Sequence, residues 1–249
     1  SRDPKVWEKG DYVLDVGGEN DLARNKFDYH QEGGAGEREN GIPYASFGLV
    51  WKKVGVQLCD SQTITDSIDK KLVQPLDAHD NGIEIVNSLF KNIYPYTIGH
   101  AIYAFGEAFA KAVIFAKGVL AREINTSKND EDSRKLIVKA YENASDKRVI
   151  IFDVSYDEFI VNEVMQKFPE VLYMLYPRDE KWNLKIIRKD PQKFEAKKPF
   201  PAEWAGKRDE ELAKITGVTD AVFCHNKRFL AVADSKEGAL KLAELALTA

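Results

Sequence analysis

Three places in the sequence carry residue types able to hold a divalent cation beside a phosphate. Asp15 closes the apolar run "YVLDV" and is followed by Gly17 and Gly18; Asp28 and His30 stand in "FDYHQ", just ahead of the glycine-rich "EGGAGERENG"; Asp77 and Asp80 lie in "LDAHDNG". Carboxylate oxygens suit hard ions such as Mn²⁺ or Mg²⁺, and Mn²⁺ tolerates imidazole best. Two such ions held close together would activate water and steady the leaving oxygen in phosphoester cleavage. Neighbouring glycines let the backbone approach a substrate phosphate.

Each residue also has a plainer reading. Asp15 could cap a glycine turn, His30 could be a hydrogen-bonding loop histidine, Asp77 could be a solvated helix residue, and Asp80-Asn81-Gly82 is a common helix-ending turn. His100 follows Gly99 at a helix start and His225 sits in a hairpin turn, so both carry less signal. The His79-Asp80 dipeptide invites comparison with the all-helical HD-type phosphohydrolases. Against that, Asp15 comes from an expected strand, and the run of helices that such a site requires is missing.

The elements that must position these groups can be read from periodicity. "YVLDV" reads as a buried strand with Asp15 near its C-terminal end, where open parallel sheets place their ligand sites. The glycine-rich loop that follows "FDYHQ" is expected to be free to move. "YASFGLVWKKVG" reads as a helix closed by Gly55, and "TITDSIDKKLVQPLDAHDNG" as a second, kinked at Pro75 and ended at Gly82. Residues 100–124 and 130–144 are expected to form two helices separated by the polar break "NTSKNDED". From residue 146 the order β-α-β-β-α-β-β-α suggests a separate α/β or α+β unit, closed by a helix capped at Ser235.

Composition narrows the function classes. A net charge of −4 argues against a protein that binds polyanions with its whole surface, so nucleic acid would be met through a local patch or through ions. Cys59 and Cys224 stand apart from any CxxC pair, which fits a reducing compartment and leaves no disulfide framework or zinc knuckle. The most apolar stretch is interrupted by charges at Glu107, Lys111, Lys117, Arg122 and Glu123, so no membrane span is expected.

Five ordered blocks then carry a resemblance: "YVLDVGGENDLARNKFDYHQ", "GIPYASFGLVWKKVG", "DAHDNGI", "PFPAEWAGKRDEEL" and "VFCHNKRFLAVADSKEGALKLAELAL". Together they resemble the Myg (melanocyte proliferating gene) exonuclease family over nearly the whole chain. The resemblance implies a branch of the DHH phosphoesterases, using Mn²⁺ or Mg²⁺, with eukaryotic members acting as 3′→5′ exonucleases on RNA. Asp15 matches the aspartate of the second metal motif. "DYHQ" matches a usual Asp-His-His-Gln, so His30 matches the second histidine and Tyr29 replaces the first. Asp77 and Asp80 match an Asp-x-x-Asp-Asn-Gly block, with Asp77 favoured as the ligand. The family's first motif, His-Asn-Gly-x-Phe-His-x-Asp, would lie upstream of Ser1, together with the first strand and helix of the sheet.

The resulting expectation is an α/β protein: a DHH-like parallel-sheet domain over 1–125 lacking its N-terminal strand and helix, a helical connector over 126–145, and a smaller α/β or α+β substrate-binding domain over 146–249. Asp15, His30, Asp77 and Asp80 are the expected ligands and catalytic groups, for two ions in the complete site. Arg208, Lys207, Gly33, Gly34 and Asn81 are expected to meet substrate, and the Lys197, Lys198, Lys207 and Arg208 cluster with Phe200 and Trp204 could offer phosphate contact with base stacking. The partner is expected to be RNA or a short oligonucleotide, in the cytoplasm and away from membranes, with a homodimer left open. Two other classes stay in view: a hydrolase of a small phosphorylated metabolite or dinucleotide, and a non-catalytic binding module, for which Tyr29 argues.

Overall fold

The computed structural model describes residues 3–249, which form a mixed α/β structure in two compact units, one ending at Asn129 and the other starting at Asp130. In the first unit, helix α1 (Pro4–Trp7) leads into strands β1 (Val13–Leu14), β2 (Asn20–Asp21) and β3 (Lys26–Phe27). Their order is β1-β3-β2. β1 runs parallel to β3 in the register Val13↔Lys26 and Leu14↔Phe27, whereas β2 is antiparallel to β3. The sheet is therefore mixed where a parallel one was expected. The short link from β2 to β3 turns through Asn25 at a φ of 57°, and a link of that length permits only antiparallel pairing.

Helices α2 (Ser46–Cys59), α3 (Gln62–Ile68), α4 (Gln74–Asp80) and α5 (Ile98–Tyr103) follow. The buried residues of α2 include Gly48, Trp51, Gly55 and Cys59, a single stripe at helical spacing. Gly55 does not end this helix. A Cβ there would lie 2.8 Å from Thr65 Cγ2, so its bareness admits α3, and the stop comes at Asp60 with a φ of 56°. The kink expected at Pro75 is a π-helical turn over Asp69–Val73 that joins α3 to α4. Pro75 has no N–H to give, and widening the preceding turn absorbs the missing bond. Trp51, Cys59, Ile64, Ile68 and Val73 form the local core.

One continuous helix, α6 (Phe109–Asn143), replaces the two expected across the polar break. Residues 125–132 contain no glycine or proline, and Asn, Ser, Thr and Asp each cost a helix only up to about 0.7 kcal/mol. Ion pairs from Lys128 to Asp60 and from Lys135 to Glu131 and Asp132 add local support. No helix among the described residues is long and apolar enough to cross a membrane.

In the second unit the elements follow the expected order: β4 (Val149–Ile151), α7 (Glu158–Val164), β5 (Tyr173–Arg178), β6 (Lys181–Ile186), α8 (Asp209–Thr216), β7 (Ala221–Cys224), β8 (Leu230–Ala233) and α9 (Lys236–Thr248). The sheet order is β4-β5-β6-β8-β7, with β4 and β5 parallel and the remaining neighbours antiparallel. β5 is apolar at successive positions because both its faces are covered. Tyr173 and Leu175 enter a core with Leu184, Phe200, Leu212 and Leu242, while Met174 and Tyr176 enter another with Ile137, Ile160 and Val161. Side-chain oxygens of Asp157 and Ser235 cap the starts of α7 and α9.

Candidate metal centre

The parallel pairing of β1 with β3 decides which groups meet. Asp15 and Asp28 each follow the last residue of their strand, and the Leu14↔Phe27 register sets them side by side. The Asp15 N–H donates to the Phe27 carbonyl at 3.2 Å. Asp15 itself has a φ of 61°, a left-handed backbone that Asp adopts more readily than most side chains. Ser46, the first residue of α2, donates from Oγ to the Phe27 carbonyl at 2.7 Å and lies 3.4 Å from Asp15 Oδ1. The start of this helix thus supports both strand ends.

Asp28 is buried, at 2% exposure, and organises the centre. Its Oδ2 accepts the Gly18 N–H at 2.6 Å, and its Oδ1 accepts the N–H groups of Tyr29 at 2.9 Å and His30 at 3.3 Å. Gly18 delivers its N–H from a φ of 63°, a conformation that costs glycine little. His30 Nδ1 stands 2.7 Å from Asp28 Oδ1 and 3.9 Å from Asp15 Oδ1. One ligand atom from each of Asp15, Asp28 and His30 lies within 4.8 Å of the others.

Electrostatics follow this geometry. Burial pushes the Asp28 carboxyl up, but its bonds from His30 and from the Gly18, His30 and Tyr29 backbone outweigh burial and hold it below its ordinary value. The Asp28 hydrogen bond raises the His30 imidazole, against slight desolvation, and the charges of Asp28, Asp15 and Asp80 add to the rise. Asp80 is thus coupled to the centre although it lies on α4.

Tyr29 supplies the link. Its hydroxyl donates to Asp80 Oδ2 at 2.9 Å, and its ring lies 4.3 Å from that of His30. Burial, then the bond to Asp80, then the neighbouring carboxylates raise the phenol above its ordinary value. Tyr29 therefore remains a neutral donor near pH 7 rather than an anionic ligand. With Gly33, Gly34 and Asn81 it lines a cavity of about 310 Å³.

Asp77 lies elsewhere. It is fully buried, accepts the Gly48 N–H at 3.0 Å on Oδ1, and has Arg38 Nη2 2.9 Å from Oδ2. Gly48 has to be glycine here, since a Cβ would come 1.8 Å from Asp77 Oδ2. Burial drives the Asp77 carboxyl above the usual carboxylate range despite the Arg38 guanidinium. Arg38 also donates to Asp69 from Nε at 3.0 Å and Nη2 at 2.8 Å, and it stacks 4.2 Å from the Tyr44 ring centre. Asn40 donates to Gln74 at 2.8 Å, and Tyr44 N–H to the Gly36 carbonyl at 3.0 Å. The later part of the glycine-rich loop is accordingly tied at Arg38 and Asn40 to the π turn and α4.

The model of an uncharacterised protein family, UPF0160, named for the MYG1 exonuclease, matches residues 1–247. The chain belongs to the MYG1 exonuclease family. A MYG1 protein of Dictyostelium discoideum is 28% identical over 279 residues, covering 98% of this chain and 85% of the relative. One from Chlamydia pneumoniae is 28% identical over 258 residues, covering 99% and 85%. The human protein named MYG1 exonuclease is 23% identical over 297 residues, covering 99% of this chain and 77% of its own. No solved structure matches the chain significantly. Membership in the MYG1 family suggests a hydrolytic nuclease with a nucleic acid substrate.

Among the residues singled out from the sequence of this MYG1 family member, Asp15 and His30 come together, Asp80 joins them through Tyr29, and Gly33, Gly34 and Asn81 surround the same tyrosine. Asp77 is paired with Arg38 instead. Asp28 is the added member of the centre. Its adjacency to His30 was the available signal, whereas nothing local marks Ser46, Arg38 or Gly48. In the second unit, Phe200 and Trp204 belong to the core, Lys197 donates to the Met165 and Phe168 carbonyls, and Lys198 to that of Leu247. Lys207 pairs with Glu211 at 3.1 Å, and the Arg208 guanidinium lies 4.6 Å from the Phe223 ring centre.

Proposed function

We propose that this MYG1 family member is a metal-dependent phosphodiester hydrolase of DHH-like design that removes nucleotides from the 3′ end of RNA or short oligonucleotides. The observation that carries the reading is the convergence of Asp15, Asp28 and His30 at the C-terminal ends of a parallel strand pair. Two carboxylates and one imidazole suit Mn²⁺ or Mg²⁺. Such ions, when bound, neutralise phosphoryl charge and lower the pKa of water.

The chain's own residues divide the work. Asp15 and His30 would hold the ion. Asp28 accepts a hydrogen bond from His30 Nδ1–H and so turns Nε2 outward, the usual part of a carboxylate behind a ligating imidazole. Asp80 faces the centre across Tyr29 and supplies further negative charge. Asp77 would reach an ion only by giving up Arg38, so it anchors the glycine-rich loop. Gly33, Gly34 and Asn81 leave room for substrate beside Tyr29. Among the described residues Arg208 is in no salt bridge and keeps its planar fork for a phosphate, with Lys207 beside it.

The test is Mn²⁺ binding by calorimetry together with degradation of a 5′-labelled RNA. The samples are this chain, any longer product its gene encodes, and Asp15→Ala. A ladder shortening from the 3′ end, lost with Asp15→Ala, is expected. Intact RNA from metal-loaded protein would overturn the RNA reading, and cleavage of bis-p-nitrophenyl phosphate by the same sample would move the substrate to small phosphoesters.

A further inference from the structure

The first unit also carries a cavity of about 460 Å³ that none of the roles above uses. Its walls include His79, Tyr94 and His100, the apolar residues Leu76 and Ile98, and Glu84. The ring centres of His79 and His100 lie 6.1 Å apart, and Tyr96 stacks on His100 at 5.5 Å with 28° between the planes. His100 is held in place by the start of α5, where its Nδ1 accepts the Thr97 N–H at 3.1 Å and lies 2.8 Å from Thr97 Oγ1. A ring nitrogen that accepts a backbone N–H carries no proton, so the other, Nε2, is the donor. Tyr94 and Tyr96 are 77% and 74% exposed.

We infer that this cavity is a nucleobase-binding subsite for a single-stranded nucleic acid whose backbone passes the metal centre. The inference rests on the nuclease reading and names what that site would grip besides phosphate. Ring faces over an apolar floor favour a flat, polarisable ligand. The polar groups at the margin match the edge of such a ligand: His100 Nε2–H and the Tyr94 hydroxyl can donate to ring nitrogens or carbonyls, and Glu84 can accept from an exocyclic amine. A purely aliphatic occupant would leave these groups unmatched. Position supports the same occupant. His79 and Asp80 lie on the same helix, and Asp80 accepts the Tyr29 hydroxyl at 2.9 Å, so α4 carries both a wall of the cavity and a group linked to the centre.

The experiment measures binding without cleavage. A fluorescein-labelled oligoadenylate and an abasic strand of equal length are titrated in EDTA, at one fixed salt concentration, with this chain, Tyr94→Leu, His79→Leu and Asp15→Ala. The base-bearing strand is expected to bind wild type about tenfold more tightly than the abasic one, a typical gain for one stacked base. Tyr94→Leu and His79→Leu should remove that preference and leave abasic binding unchanged, with unaltered circular dichroism showing intact folds. Asp15→Ala should keep the preference. Equal binding of the two strands by wild type, no binding of either, or a preference that survives both ring substitutions would overturn the subsite. RNA cleavage with unchanged KM in Tyr94→Leu would overturn it while leaving the nuclease reading standing. A base preference that depends on Tyr94 in a protein that cleaves no RNA would uphold the subsite and remove the nuclease reading.

Discussion

Nδ1 of His30 stands 2.7 Å from Oδ1 of Asp28, a residue two positions earlier that is buried at 2% exposure and also receives the Gly18 and Tyr29 N–H groups. One carboxylate therefore sets both the turn of the backbone and the face of the imidazole. Asp28→Asn would bring an amide N–H₂ against groups that all donate. We expect Mn²⁺ affinity to fall about 10–100-fold, the usual cost of removing the partner behind a ligating histidine. Stability should fall by about 1–3 kcal/mol from the unmatched donors. Calorimetric titration and urea unfolding check the two effects separately, and unchanged metal affinity would remove Asp28 from the centre.

Arg38 joins Asp69 to Asp77 across the π turn, and its side chain is only 7% exposed. Arg38→Met would strand the fully buried Asp77 carboxylate without a counter-charge. Breaking a buried pair on one side costs about 3–5 kcal/mol. The double variant Arg38→Met, Asp77→Leu should recover much of that loss. Urea midpoints of the single and double variants decide it: a double variant no more stable than the single one would show that the ion pair is not what pins the loop.

How much of this could be read from residue order depends on range. The element order of the second unit is legible because its strands are short apolar runs and its helices carry local caps at Asp157 and Ser235. Asp15 and His30 are legible because strand ends of a parallel pair lie together, and the two segments are close in sequence. Arg38 is not, since a charged residue in a glycine-rich loop reads as solvated; only the fold brings it to Asp69 and Asp77. Gly48 is hidden for the same reason, as its requirement comes from Asp77 on another helix. The break at residues 125–132 misleads because it holds neither glycine nor proline, so its polar residues cost the helix little and the flanking turns carry through.

Tyr29 lies between Asp28 and His30, and its hydroxyl is spent on Asp80. Tyr29→His would set a second imidazole beside His30 and release Asp80 from its donor. Mn²⁺ affinity should rise at least tenfold, whereas Tyr29→Phe should change it by less because the neutral phenol is not a ligand. Calorimetry on both variants distinguishes them. Equal affinity in Tyr29→His and Tyr29→Phe would mean that no ion lies within reach of position 29.

The second unit carries an alkaline limit on stability. Burial pushes the Cys224 thiol up to about 12, against a slight lowering by Arg228, and pushes the Tyr173 phenol up to about 12, where its hydroxyl donates to the Ala246 carbonyl at 3.3 Å. In the unfolded chain a thiol ionises near pH ~8.5 and a phenol near ~10. As pH rises past these values the unfolded state gives up protons that the native state keeps. The native state then binds more protons, so unfolding free energy falls with rising pH. Each such group steepens the decline by at most about 1.4 kcal/mol per pH unit. Between the two unfolded values the thiol acts first. Cys224→Ala should therefore flatten the decline just above pH 9 while lowering stability at neutral pH through its small cavity, and the steeper limb from Tyr173 should remain at higher pH. Urea unfolding of wild type and Cys224→Ala across that range is the check; parallel slopes would show that Cys224 ionises in the folded protein as freely as in the unfolded one.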